Sequence, residues 1–289
     1  MQKVKVGIIG TGNIGTDLLI KVQRSELLEC SIFTGRNPDS KGIALAKRIG
    51  VLTSDQSIDA IKKDPDICQI VFDATSALMH MEHAPVLKDL GKYTIDMTPA
   101  QQGKFCVPVI NGKECLDVPN VNLITCGGQA TVPIAYAIMQ VHPEVSYFEI
   151  VSSIASKSAG PGTRANIDEF TQTTKDALRL FTGVERTKAI INLNPAEPPI
   201  LMHNTIYAQI AVPDMDAITR SVMDMEKRLQ RYVPGYCVIV GPVFEANRVT
   251  TMIQVTGLGD YLPVYAGNLD IITCAGVHLA EMYAQNTKH

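Results

Sequence analysis

The stretch VKVGIIGTGNIGTDLL sets Gly10, Gly12 and Gly15 between a short β-branched apolar run, Lys3 to Ile9, and a segment, Asn13 to Gln23, whose Ile14, Leu18, Lys21 and Val22 recur at helical spacing. A strand that turns through GxGxxG into a helix uses the first glycine for a tight turn. The second allows close approach to a pyrophosphate and the third allows helix packing, with the anion held at the helix N-terminus. The alternative is a tight turn with no ligand.

The alternation continues with Leu28 to Thr34 as strand, Gly42 to Ile49 as helix, Ile70 to Asp73 as strand, Ala77 to Leu90 as helix and Tyr93 to Asp96 as strand. Such a series predicts a parallel sheet with helices on both faces. After Cys126 the pattern changes to longer strands (Val145 to Ala155, Lys188 to Leu193, Thr205 to Val212, Cys237 to Val243, Arg248 to Thr256) with only two long helices, Ala165 to Phe181 and Asp214 to Arg231. Consecutive strands without a helix between them predict mostly antiparallel pairing. The fold class is therefore α/β: a Rossmann-type parallel-sheet domain plus a second α+β domain with a mostly antiparallel sheet. At 289 residues two domains are expected. We place a dinucleotide-binding domain at 1–126, completed by a C-terminal helix at 268–289, and a catalytic and dimerisation domain at 127–267.

A formal net charge of −3 with scattered Lys and Arg argues against a nucleic-acid partner. No run approaches the roughly 18 apolar residues of a spanning helix, and the glycines at 10 and 12 interrupt the only apolar start, so a cytoplasmic protein is expected. Seven cysteines, without the close pairing of zinc ligands, predict mostly buried free thiols.

Several residues carry candidate chemistry. Arg36, in FTGRNPDSK, stands where an acid would grip the ribose of NAD, and it either holds the 2′-phosphate of NADP or is an exposed turn residue. In IASKSAGPGTRANIDEF, Ser158 to Asn166 form a second glycine-rich loop before a helix, with Thr163 as N-cap; it holds a polar part of a cofactor or is purely structural. Cys126, in NVNLITCGGQATVP, is read as ending an apolar strand just before a helix over Ala130 to Val141. A thiol there has its thiolate stabilised, and Gly127 and Gly128 leave room for a substrate and free N–H groups. His80 and His83, three apart in MHMEH, are read as a solvated or capping face rather than a metal pair, since no third ligand is suggested. No metal site is expected, and no GxSxG elbow is present.

Nine blocks in order, GTGNIGTDL, VFDATSA, IDMTPA, CVPVIN, NLITCGGQATVP, IASKSAGPGTRANIDEFT, LNPAEPP, YVPGY and YLPVYAGNLDI, resemble the acylating acetaldehyde dehydrogenases of bacterial aromatic-ring degradation over essentially the whole chain. The resemblance implies that Cys126 carries an acyl thioester formed from a short-chain aldehyde, with coenzyme A as co-substrate. It implies nicotinamide-cofactor contacts for Thr11, Gly12, Asn13 and Ile14, beside Gly10 and Gly15 of the glycine motif. Further contacts follow for Ser158, Ala159, Gly160, Pro161, Gly162, Thr163, Arg164, Ala165, Asn166 and Asn268. It also implies a 4-hydroxy-2-oxovalerate aldolase partner, while large apolar faces on the second domain are expected to give a homodimer. Two features depart from the family: MHNTI places His203 and Asn204 where relatives carry Arg and Asp, the Asp having been considered a base for the thiol, and the stretch between Pro242 and Gln254 is short. The competing readings are a phosphorylating semialdehyde dehydrogenase-like reductase and a non-catalytic dinucleotide-binding protein.

Overall fold

A computed structural model describes residues 3–160, 163–164 and 167–287. Pro161, Gly162, Ala165 and Asn166 lie outside the described residues. The chain forms two compact units, one of residues 1–123 with 272–289 and the other of 124–271.

The first unit is built on a seven-stranded parallel sheet. Its strands are β1 (Val4–Ile9), β2 (Leu28–Thr34), β3 (Thr53–Ser54), β4 (Ile70–Asp73), β5 (Tyr93–Asp96), β6 (Lys104–Phe105) and β7 (Asn120–Asn122), in the order β3-β2-β1-β4-β5-β7-β6. β1 and β4 are buried at nearly every position, as a sheet covered on both faces requires. The connecting helices are α1 (Asn13–Arg24), α2 (Lys41–Arg48), α3 (Ile58–Lys63), α4 (Ala77–Asp89) and the short α5 (Pro108–Asn111). β3, α3, β6 and α5 are too short to stand out in the sequence. Between β1 and β4 the strand order reverses, which opens the crevice where sheets of this kind bind ligands.

The second unit carries α6 (Cys126–Met139), β8 (Tyr147–Ala155), α7 (Ile167–Thr182), β9 (Thr187–Asn194), β10 (Met202–Gln209), α8 (Met215–Gln230), β11 (Tyr236–Glu245), β12 (Arg248–Val255) and the start of α9 (Gly267–Asn286). Its sheet runs β11-β12-β10-β8-β9, antiparallel except for the β8–β9 pair, which the α7 crossover makes parallel. β8, β10 and β12 alternate buried and half-buried residues, so the helices cover one face only. The later part of α9 belongs to the first unit. There Thr273 donates to Asp17 at 2.6 Å, Ser25 donates to Glu281 at 2.6 Å, and Tyr283 stacks on Tyr93 with ring centroids 4.1 Å apart.

The short stretch after Pro242 is a two-residue hairpin. Glu245 pairs with Arg248, and Ala246 and Asn247 turn the chain at φ 51° and 60°. Both values are left-handed, as a type I′ turn demands; Asn tolerates them and Ala does not. Ala246→Gly is expected to stabilise the second unit by about 1 kcal/mol, read from denaturant unfolding. A loss of stability would show that the alanine methyl packs better than the turn strains.

Candidate functional site

In the first unit Gly10 follows β1 at φ 111°, and an added Cβ would lie 2.4 Å from the Ala74 carbonyl oxygen across the strand-order reversal. A Cβ on Gly15 would lie 1.8 Å from the Gly10 carbonyl oxygen, so α1 can begin against the turn only if residue 15 is glycine. Gly12 caps α1, and its missing Cβ would face open space. Two of the three glycines thus serve packing, while the third leaves a cradle beside the N–H groups of Asn13, Ile14 and Gly15. An anion such as a dinucleotide pyrophosphate fits there.

The groove beyond this loop has a volume of about 300 Å³, with Thr11, Arg36, Asn37, Ser57, Thr75 and Ser76 among its walls and no carboxylate. Arg36 is exposed and makes no ion pair or hydrogen bond among the described residues. Its guanidinium is available to a ligand.

The histidines of MHMEH do not form a solvated face. His80 and His83 are 0% and 2% exposed, and both Nδ1 atoms meet Asp73 Oδ2, at 2.9 and 2.8 Å. Burial alone would raise the Asp73 carboxyl, but the hydrogen bonds from His80 and His83 hold it well below the usual carboxylate range. His80 Nε2 also lies 3.1 Å from Asn120 Nδ2 and 3.4 Å from Asp96 Oδ2. Burial would depress His80, yet the hydrogen bond to Asp73 and the charge of Asp96 raise it. Asp96 itself is pushed up to about 7 by burial. The spacing of three did signal a shared helix face, but α4 turns that face toward the ends of β4 and β5, which a pattern of residue types cannot show. Among the described residues no group of three or more His, Cys, Asp or Glu is placed to hold a metal ion.

In the second unit Cys126 is the first residue of α6, four residues earlier than the helix start expected from the sequence, and β7 has already ended at Asn122. Thr125 is the N-cap: its hydroxyl accepts from the Gly128 N–H at 2.9 Å and meets Thr174 Oγ1 at 2.7 Å. Cys126 is half-buried. Burial pushes its thiol up to about 12, and the N–H groups of Gly127 and Cys126 offset this only in part. The expected depression of the thiol is thus corrected: here desolvation outweighs the helix terminus.

The reading of Gly127 and Gly128 also changes. A Cβ on Gly127 would meet Phe170 Cζ and Ser152 Oγ at 2.8 Å each, and one on Gly128 would meet Ile124 Cδ1 at 2.5 Å. Close packing of protein side chains, rather than space for substrate, requires these glycines. Ser152 faces Asn204 across β8 and β10, and neither the Ser152 hydroxyl nor either amide atom of the fully buried Asn204 has a partner among the described residues. His203 points to the opposite face of the sheet, half-buried, with Nδ1 3.3 Å from the Leu201 carbonyl oxygen. It cannot serve the thiol alongside Asn204.

Of the second glycine-rich loop, Ser158 is buried and donates to the Ala155 carbonyl at 2.9 Å, and Ala159 is buried. Gly160 has open space at its Cβ position. Thr163 lies within a helical turn rather than capping it, and Arg164 staples the loop through the Ala159 carbonyl at 3.1 Å and the Ser156 carbonyl at 2.9 Å. Asn268, in the first turn of α9, is 1% exposed, and its side-chain oxygen has no hydrogen-bond partner among the described residues. Cys30, Cys68, Cys106, Cys115 and Cys274 are buried, whereas Cys237, expected to be buried too, is exposed on the edge strand β11.

Residues 126–263 match the family model described as prokaryotic acetaldehyde dehydrogenase, dimerisation, and residues 5–118 match semialdehyde dehydrogenase, NAD binding domain. The chain is 58% identical to the acetaldehyde dehydrogenase of Pectobacterium atrosepticum over 283 residues, covering 97% of this chain and 96% of the relative. It is 52% identical to that of Geobacillus stearothermophilus over 288 residues, 99% of this chain and 98% of the relative. The one from Spirochaeta aurantia is 50% identical over 284 residues, 98% and 96% of the two chains. Among solved structures, aspartate semialdehyde dehydrogenase II from Vibrio cholerae, complexed with ASA, matches with a TM-score of 0.68 over 99% of both chains at 12% identity, a likeness of fold.

Proposed function

The chain belongs to the acetaldehyde dehydrogenase family, and on that premise we propose that it is a coenzyme A-acylating aldehyde dehydrogenase. It converts acetaldehyde or another short-chain aldehyde, NAD+ and coenzyme A to acyl-coenzyme A and NADH. The observation that carries this reading is the half-buried thiol of Cys126 at the first position of α6, beside the N–H groups of Cys126 and Gly127. The Cys126 thiol gives its proton to solvent, the thiolate adds to the aldehyde carbon, and the carbonyl oxygen becomes an alkoxide that these N–H groups can hold. A nicotinamide dinucleotide held by the Gly10–Gly15 loop would supply the hydride acceptor, and loss of hydride from that carbon would leave a thioester on Cys126. The sulfur of coenzyme A then attacks the thioester carbonyl, the bond to Cys126 breaks, and Cys126 departs as thiolate.

The glycine loop from Gly10 to Gly15 supports dinucleotide binding in the first unit. The assignment of Ser158 to Asn166 and of Asn268 to the same cofactor rests on the family resemblance. We place the dinucleotide-binding role at 1–126 with 268–289, and the catalytic and dimerisation role at 127–267. A homodimer accords with the dimerisation model matched by residues 126–263. No described helix is long and apolar enough to cross a membrane, and cytoplasmic operation is part of the proposal. An aldolase partner rests on resemblance alone; an aldolase from the same source that fails to co-purify with the active protein would remove it.

Mixing the purified protein with acetaldehyde, coenzyme A and NAD+ tests the activity through the absorbance of NADH. Replacing coenzyme A by inorganic phosphate separates the phosphorylating alternative, and no turnover with either would leave only a binding protein.

Asn204 offers a second test. An amide cannot accept the thiol proton as a carboxylate would, and the wild-type thiol is pushed up to about 12, so acylation should rise steadily with pH through the neutral and alkaline range. In Asn204→Asp, a carboxylate raised by burial becomes a base near the thiol's helix. Acylation near neutral pH should then increase about tenfold and level off at lower pH. Single-turnover NADH formation without coenzyme A, followed across pH, measures this; an unchanged profile would exclude position 204 from proton transfer.

A further inference from the structure

Next to the glycine-loop groove lies a larger cavity of about 890 Å³, and the two share Arg36 and Ser57 as a common wall. Ile58, Met79 and Val86, all partly exposed, give it apolar sides, and His83 lines it as well. Its cations are largely engaged: Lys62 pairs with Asp59 at 2.7 Å and Lys63 donates to the Gln56 side chain. With Asp55, Asp59 and Glu82 also on the walls, the cavity suits a neutral planar group better than a phosphate.

His83 is held at a fixed angle. Asp73 accepts Thr75 on Oδ1 and both histidines on Oδ2. An ionised carboxylate only accepts, so Nδ1 of His83 carries the proton, and in the neutral ring Nε2 then carries the lone pair. That Nε2 is buried with no partner among the described residues. A buried acceptor without a donor is costly, and a ligand N–H removes the cost.

We propose that this cavity seats the adenine of the dinucleotide between Ile58, Met79 and Val86, with His83 Nε2 accepting the 6-amino group, so that His83 selects adenine over hypoxanthine. The inference rests on the dinucleotide-binding reading of the first unit and names a residue that sets its base specificity. Adenine offers apolar faces to the walls and an N–H donor at its edge. Hypoxanthine carries a carbonyl oxygen at that position, which would set lone pair against lone pair.

Equilibrium calorimetry of ADP and inosine diphosphate on the intact protein, above neutral pH, tests this without turnover. The wild type should bind ADP about tenfold more tightly than inosine diphosphate. In His83→Phe, which keeps a ring and removes the acceptor, the two should bind equally, with thermal unfolding reporting whether the variant is folded. If it is not, ¹⁵N spectra of the wild type decide, because the His83 Nε2 resonance should move on adding ADP and stay in place with inosine diphosphate. Equal binding by the wild type, or discrimination kept in folded His83→Phe, would overturn the role of His83. Failure to bind either nucleotide would overturn the dinucleotide reading as well.

Discussion

Cys126→Ser is expected to lower aldehyde oxidation by at least about a thousandfold, on the order of 4 kcal/mol of transition-state stabilisation, while leaving fold and dinucleotide affinity in place. The serine hydroxyl fits where the thiol sits, and the Thr125 cap and the contacts of Gly127 and Gly128 do not involve the sulfur. The nucleophile is what changes. Burial already pushes the thiol up to about 12, and an alcohol begins from a far higher value still. After incubation with aldehyde and NAD+ in the absence of coenzyme A, mass spectrometry should find the acyl group on the peptide holding Cys126 in the wild type and on none in the variant. An acyl group on exposed Cys237, or near-normal turnover by Cys126→Ser, would overturn the mechanism.

The second large effect is expected at Arg36. Among the described residues, the groove beside the glycine loop has no carboxylate to grip the ribose hydroxyls of NAD, and Arg36 stands on its wall with no partner of its own. NADP should therefore be accepted alongside NAD, the 2′-phosphate taking a charge-assisted hydrogen bond from the guanidinium. Arg36→Asp removes that donor and sets a negative charge against the phosphate. The ratio of kcat/KM for NADP to that for NAD should then fall by about a hundredfold, the equivalent of the ~3 kcal/mol that a hydrogen bond to a charged group can contribute. Steady-state kinetics with both cofactors measure it. An unchanged ratio would mean that Arg36 is a solvated turn residue.

What could be read from residue patterns was the part governed by local periodicity. β2, β4 and β5 begin and end where their apolar runs do, and the Gly10–Gly15 loop sits between strand and helix as its spacing demands. The errors arose where tertiary contact decides. Cys126 was assigned to a strand end because ITC continues an apolar run, but Thr125 caps Gly128 and draws the cysteine into the helix. Gly127 and Gly128 suggest open space, yet Phe170, Ser152 and Ile124, two of them far along the chain, occupy it. His80 and His83 looked solvated because α4 also exposes Leu78 and Met81, which blurs its faces; only the buried carboxylate of Asp73 explains which side turns inward. His203 and Asn204, adjacent in sequence, sit on opposite faces of β10, so an exchange at one cannot be compensated by the other.

The division of the chain sets an order of events during folding. The 124–271 unit is one uninterrupted stretch and can close its core without residues 272–289. The 1–123 unit needs 272–289, which bring Thr273 to Asp17, Glu281 to Ser25 and Tyr283 to Tyr93. Of the two, the 1–123 unit closes the contacts of longer range, and its completion waits on residues 272–289. Until those residues dock, the surface that α9 covers on this unit stays open to solvent, so a partly folded chain exposes Tyr93 before it exposes the core of the other unit.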